Sequence, residues 1–231
     1  MQVLKFGGSS VAIAENISKV AAIIQQVMER GKTIVVVSAL GGITDSLLQS
    51  GAQAAAGDEN YKELLLNVEQ RHLEAVKALI PITKQSSILS WVKQRCNEIE
   101  DICNGVFLLG ELSARTRDRI VSYGEILSSK IISEHLHAQG VENVWSDSRT
   151  FIRTDSGFGH AAVDFAATNT LCQQFFSATA GLFIVPGFVA ADAKGNVTTL
   201  GRGGSDYTAA IIAGAVNAQA LEIWTDVSGM M

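Results

Sequence analysis

The chain has 231 residues, with 18 Lys+Arg against 23 Asp+Glu and a formal net charge of −5. Hydrophobic residues make up 47% and charged residues 18%, so disorder is excluded and a sizeable core is expected. Cys96, Cys103 and Cys172 are odd in number and lack CxxC spacing, against a disulfide framework or a zinc site. A reducing, cytoplasmic setting is the expectation. No leader pattern precedes Lys5, and the apolar run 181–191 is too short to span a membrane. A mildly acidic chain without a dense basic patch is not expected to bind nucleic acid.

Residues Val3 to Phe6 form a short strand that meets Gly7-Gly8-Ser9-Ser10. Ile13, Ile17, Val20, Ile24 and Val27 then recur at helical spacing up to Gly31. The β-branched run Thr33 to Ser38 reads as a central strand covered on both faces. Strand, glycine turn, helix, strand is the opening of a parallel α/β sheet. The middle is helical: Glu59 to Ile80, Ser87 to Leu109, and Ser113 to His137 with a break expected at Tyr123-Gly124. Residues 52–109 read as a helical insertion packed on the α/β core. Alternation then resumes with a strand at Asn143 to Trp145, a helix at Asp164 to Phe176 and a buried strand at Leu182 to Val185. A turn at Asp192 to Asn196, a strand from Val197, a small-residue helix at Tyr207 to Val216 and a last strand at Leu221 to Val227 complete the chain.

Several constellations carry chemistry. Lys5 sits in an apolar strand, where an ammonium needs an anion or an escape to water. The glycines after it bring backbone N–H groups toward a phosphate at a helix start, although a solvent-facing lysine beside a tight turn is an open alternative. Neither a Walker A loop nor a GxGxxG fingerprint is present. Ser38, Gly41-Gly42 and Thr44 follow the second strand, at the end where parallel sheets bind ligands. Gly201-Arg202-Gly203-Gly204-Ser205-Asp206 is the strongest signal, because so many glycines cost backbone entropy. There Arg202 is fit to clamp a carboxylate or phosphate, and Asp206 either caps a helix or orients Lys5. Glu125 lies in a mostly apolar helix and suits a substrate ammonium or plain solvent exposure. Thr225-Asp226 ends the last strand, as a nucleotide contact or a cap. His72, His135, His137 and His160 have no metal-ligand spacing. No nucleophile–base pair emerges; phosphoryl transfer, which relies on positioning and charge neutralisation, suits this inventory.

These residues resemble the aspartokinase branch of the amino acid kinase family. Lys5 to Ser10 looks like its KFGG-[TS]-S start, Ser38 to Thr44 its S-A-x-x-G-[IV]-T stretch and Ser122 to Glu125 its S-x-G-E stretch. Thr198 to Asp206 matches TTLGRGGSD, and Trp224 to Gly229 is similar to W-T-D-V-D-G with Ser228 in place of Asp. Gly187-Phe188-Val189-Ala190 departs from the usual G-F-[IV]-G. The resemblance implies a three-layer αβα sandwich with a mostly parallel central sheet, and transfer of the ATP γ-phosphoryl to the β-carboxylate of L-aspartate. It implies Lys5 and Asp206 as catalytic, Ser38, Thr44, Glu125, Arg202 and Ser205 at the amino acid, and Gly7, Gly8, Ser9, Gly203, Gly204, Thr225 and Asp226 at the nucleotide. Mg²⁺ would be held by phosphate oxygens and water, with no protein ligand named. The chain stops at Met231, before the family's A-D-P-R segment, so a longer, homo-oligomeric enzyme with regulatory domains is expected, with or without homoserine dehydrogenase. The other readings are a glutamate 5-kinase or carbamate kinase-like member, or a non-catalytic binding module.

Overall fold

The computed structural model describes residues 1–178 and 181–225. Its main sheet joins β1 (Gln2–Phe6), β2 (Thr33–Val37), β3 (Val144–Trp145), β5 (Leu182–Pro186) and β8 (Ala220–Trp224) in the order β3-β5-β2-β1-β8. Every pairing in it is parallel, with Lys5 opposite Val36 on one side and Ile223 on the other. A smaller sheet, β4 (Arg153–Thr154), β6 (Val189–Asp192) and β7 (Val197–Thr199), pairs β4 with β6 in parallel and β6 with β7 as a hairpin.

Strand alternation decides what covers each face. Leu4, Phe6, Val35, Val37, Leu182 and Ile184 face one way, onto α1 (Ala14–Met28), α2 (Ile43–Ala55), α3 (Tyr61–Leu79), α4 (Gln85–Leu109) and α5 (Ala114–Ala138). Val3, Ile34, Val36, Phe183 and Val185 face the other way, onto α6 (Phe165–Ala178) and α7 (Gly204–Ala215). Lys5 shares the parity of Val3, so its side chain leaves the sheet on the α7 side. The result is the αβα sandwich with a mostly parallel sheet that the sequence predicts. Each large apolar side chain fully buried between these layers contributes about 1.5–3 kcal/mol; Phe151, Phe176 and Phe183 add edge-to-face contacts with ring centroids 5.1 Å apart.

Two expectations are corrected. The break at Tyr123-Gly124 does not occur, and α5 runs through it. Gly124 instead allows close packing: a Cβ there would lie 2.9 Å from the Ala39 Cβ in the β2–α2 turn. The strands β4 and β6 and the small sheet they build are absent from the sequence reading, because two-residue and four-residue strands leave almost no periodicity. The stretch Asp226 to Val227 of the expected last strand lies outside the described residues. No helix among the described residues is long and apolar enough to cross a membrane.

Candidate active site

A cavity of about 630 Å³ opens at the carboxyl ends of β1 and β2. Of the residues singled out in the sequence, Lys5, Gly8, Ser38, Thr44, Glu125, Arg202, Gly203, Gly204, Ser205 and Asp206 line it. Gly7 does not; it donates its N–H to the Trp224 carbonyl at 3.3 Å, and a Cβ there would lie 3.4 Å from Lys5 Nζ. Ser9 and Thr225 line a smaller neighbouring hollow of about 300 Å³, beside Phe6 and Trp224. Asp226, like Ser228, lies outside the described residues.

Lys5 is in the interior of the sheet, its side chain 8% exposed, and its Nζ meets Asp206 Oδ1 at 2.6 Å. The contact is an ion pair whose angles fall outside hydrogen-bonding geometry. This removes the solvent-facing reading of Lys5. It also settles Asp206, the third residue of α7, which spends its carboxylate on Lys5 rather than on a cap. Asp206 is itself half-exposed, so the pair is open to a ligand on that side.

Two helices begin at this cavity in the same way. The residue preceding α2 is Gly42 and that preceding α7 is Gly203, with φ of 80° and 72°, and neither helix start has a side-chain cap. Glycine is favoured at such φ, and an uncapped helix start presents N–H groups to an anion. Arg71 of α3 fixes the glycine turns by donating to the carbonyls of Gly41 at 2.8 Å and Ala12 at 3.3 Å. Ser128 of α5 donates to the Ser38 carbonyl at 2.7 Å. The start of α7 is packed just as tightly: a Cβ on Gly204 would fall 2.6 Å from the Phe188 ring, and one on Gly187 2.6 Å from the Ser205 Cβ. Phe188 is held at φ 65° between them, a conformation that costs a non-glycine residue about 1–3 kcal/mol.

Glu125 is buried, and burial pushes its carboxyl up to about 8 despite a hydrogen bond from the Ala39 backbone. Among the described residues its Oε2 has no hydrogen-bond partner. Asp118, which the sequence reading missed, also lines the cavity and is 1% exposed. Its Oδ2 accepts from the N–H groups of Gly159 at 2.8 Å and Thr199 at 3.0 Å, and its Oδ1 from the Thr199 hydroxyl at 3.0 Å. Burial raises its pKa, and those hydrogen bonds oppose the shift. A sequence signal existed: Asp118, Val121 and Glu125 are spaced i, i+3, i+7 and all line the cavity. Among the described residues there is no group of three or more side chains able to hold a metal ion.

A parallel sheet whose strand ends gather a buried lysine, an arginine and two uncapped helix starts defines an α/β domain built to handle anionic ligands. The whole chain, residues 1–231, matches the model of the amino acid kinase family, and the protein belongs to that family. It is 35% identical over 237 residues to the lysine-sensitive aspartokinase 3 of Escherichia coli, covering 99% of this chain and 49% of that protein. It is 36% identical to the chloroplastic aspartokinase 1 of Arabidopsis thaliana, covering 99% of this chain and 40% of that one. The crystal structure of E. coli aspartokinase III in complex with aspartate and ADP superposes with a TM-score of 0.89 at 33% identity, over 99% of this chain and 50% of that chain. The chain thus spans about half the length of these relatives, or less.

Proposed function

We propose that the chain carries the catalytic part of an aspartate kinase, which transfers the γ-phosphoryl group of ATP to the β-carboxylate of L-aspartate. The observation that carries this reading is the charge layout of one cavity: Glu125 Oε2 buried and unpartnered, Arg202 exposed at its rim, and the Lys5–Asp206 pair beside two uncapped helix starts. An α-amino acid supplies an ammonium for Glu125 and an α-carboxylate for Arg202. Ser38, Thr44 and Ser205 supply hydroxyls to the same ligand. Relatives named as aspartokinases, one of them solved with aspartate and ADP, support the choice of amino acid and nucleotide.

In this reading a β-carboxylate oxygen of aspartate attacks the γ-phosphorus and the bond to the ADP oxygen breaks. The attacking carboxylate is already ionised, so no base is needed. Lys5 neutralises charge on the transferring phosphoryl group, and Asp206 holds the Lys5 ammonium in place. Backbone N–H groups at Gly8, Gly203 and Gly204 receive phosphate oxygens, while Ser9 and Thr225 serve the nucleotide from the adjacent hollow, and Gly7 and Asp226 are assigned to the same nucleotide. Mg²⁺, when bound with the nucleotide, screens phosphate charge; the donor set suits an ion held mainly by phosphates and water. Residues 1–231 constitute the kinase domain portion, with 52–109 as its helical insertion. The three buried thiols, with pKa values pushed up to about 11 or 12 by burial, suit a reducing cytoplasm. Exposed apolar residues on the edge strand β8, such as Ile223, suit a homo-oligomer.

The test is ADP release in a protein containing this chain, offered ATP·Mg²⁺ with L-aspartate, L-glutamate or carbamate in turn. Aspartate-dependent turnover is expected, with Lys5→Ala lowering kcat by about 10²–10³-fold and leaving the unfolding midpoint nearly unchanged. Turnover only with glutamate or carbamate would replace aspartate as substrate, and no turnover with any acceptor would remove the kinase reading.

A further inference from the structure

The opposite face of α5 borders a second cavity, of about 830 Å³, walled by α4, the segment around Trp145 to Arg149 and the tip of the β6–β7 hairpin. We propose that it is a binding site for a small anion bearing two or more carboxylate or phosphate groups. Its volume is in the range of small-molecule sites.

Charge carries the argument. Arg95, Arg115, Arg119 and Arg149 line the cavity against only Glu98 and Asp147, in a chain whose overall charge is −5. Two of the arginines are neutralised: Arg95 Nη2 meets Glu98 Oε1 at 2.8 Å, and Arg149 grips Asp147 with Nε–Oδ1 at 3.0 Å and Nη2–Oδ2 at 2.6 Å. Arg115 and Arg119, one turn apart on α5, have no carboxylate within 4.0 Å among the described residues. Glu98 is engaged elsewhere, because its other oxygen accepts from the Tyr123 hydroxyl at 2.9 Å.

The donors are also organised. Arg95 lies over the Trp91 ring at 5.6 Å, and Trp91 packs edge-on against Trp145, which fixes the guanidinium by a cation–π contact. Its Nε is shielded from solvent and has no hydrogen-bond partner among the described residues, a cost unless a ligand supplies the acceptor. Planar guanidinium groups suit bidentate contact with carboxylate or phosphate oxygens.

Calorimetric titration of the 231-residue chain with citrate, and separately with pyrophosphate, tests the site and tells carboxylate from phosphate preference. The expected result is a binding component that survives Arg202→Gln, which disables the first cavity, and that weakens at least about tenfold, ~1.4 kcal/mol, in the Arg115→Gln/Arg119→Gln double variant. Both arginines are exposed, so the double variant should keep the thermal midpoint of the parent. If it does not, Arg119→Lys, which retains charge and loses the planar fork, should weaken binding in the same direction. No binding of either anion, binding unchanged by the α5 variants, or binding abolished by Arg202→Gln alone would overturn the site.

Discussion

Asp118 and Glu125 stand about two turns apart on one face of α5 and meet the same cavity in opposite states: Asp118 accepts three hydrogen bonds, whereas Glu125 Oε2 accepts none. One carboxylate is spent on the fold, joining α5 to β7 and to the loop at Gly159. The other keeps an unpaired oxygen buried in the cavity wall.

Glu125 therefore makes stability depend on pH. Its carboxyl ionises near 4.5 when unfolded and, raised by burial, near 8 when folded. Between those values Glu125 holds a proton in the native state that it has lost in the unfolded one, so its contribution to stability falls as pH rises from about 4.5 to 8. The loss reaches ~5 kcal/mol above that window. Glu125→Gln should flatten this slope and raise the melting temperature at pH 8, while raising the KM for aspartate by about 10²-fold through loss of a charged partner. Melting curves from pH 5 to 8 check the first part; a slope unchanged by the substitution would show that Glu125 is ionised in the fold.

For Asp118, shape and charge make different forecasts. An amide can keep its oxygen toward the N–H groups of Gly159 and Thr199 and turn its NH₂ to the Thr199 hydroxyl, which is also an acceptor. Asp118→Asn should thus cost less than about 1 kcal/mol in urea unfolding. Asp118→Ala strands those donors and should cost about 2–4 kcal/mol. Equal losses would mean that the charge, not the hydrogen-bond pattern, holds β7 to α5.

The contrast explains what was legible beforehand. Lys5, Arg202 and Asp206 stand out in sequence because a cation in a strand and a cluster of glycines are locally anomalous. Asp118 is an ordinary residue in a helix, and its partners lie 41 and 81 residues away, so only the fold reveals it. The main sheet was readable from β-branched runs such as Thr33 to Val37, whereas the two residues of β4 are paired only because β6 passes alongside. Ser9 and Thr225 follow the ends of β1 and β8, where they line the hollow beside Trp224 rather than the main cavity. Gly124 was misread because a glycine in a helix signals a break by propensity and a close approach by packing, and sequence cannot separate the two.

That ambiguity can be resolved with a matched pair of substitutions. Gly105 lies inside α4 with nothing within 4 Å of where its Cβ would stand, while a Cβ on Gly124 would be 2.9 Å from that of Ala39. Alanine improves helix propensity by about 1 kcal/mol at either position. Gly105→Ala should accordingly stabilise by about 0.5–1 kcal/mol. Gly124→Ala should instead destabilise by about 1–3 kcal/mol, because α5 must withdraw from the β2–α2 turn that also carries Ser38 and Thr44. Chemical denaturation of both variants measures the difference, and a stabilised Gly124→Ala would mean that the turn yields freely.

His72 contributes to the acid side of the stability profile. It is fully buried on α3, with Nδ1 2.7 Å from the Val68 carbonyl and no partner for Nε2. Burial, reinforced by the nearby Arg71 charge and opposed by the Val68 contact, lowers its pKa from 6.5 to about 4. As pH falls through 6.5 the unfolded chain gains a proton that the native imidazole refuses until about pH 4, so the His72 contribution to stability declines across that interval, against the opposite trend set by Glu125 down to about pH 4.5. The full effect is ~3 kcal/mol. Because Arg71 holds the Gly41 and Ala12 carbonyls, the same acidification should loosen the glycine turns when α3 opens. Replacing His72 with Gln, which keeps a donor for the Val68 carbonyl and cannot titrate, should leave stability near pH 7 within about 1 kcal/mol and shift the acid-unfolding midpoint to lower pH. An unchanged midpoint would assign acid sensitivity to other groups, such as His135, whose pKa burial also lowers, or Asp192, whose carboxyl is held low by its hydrogen bond from Asn196.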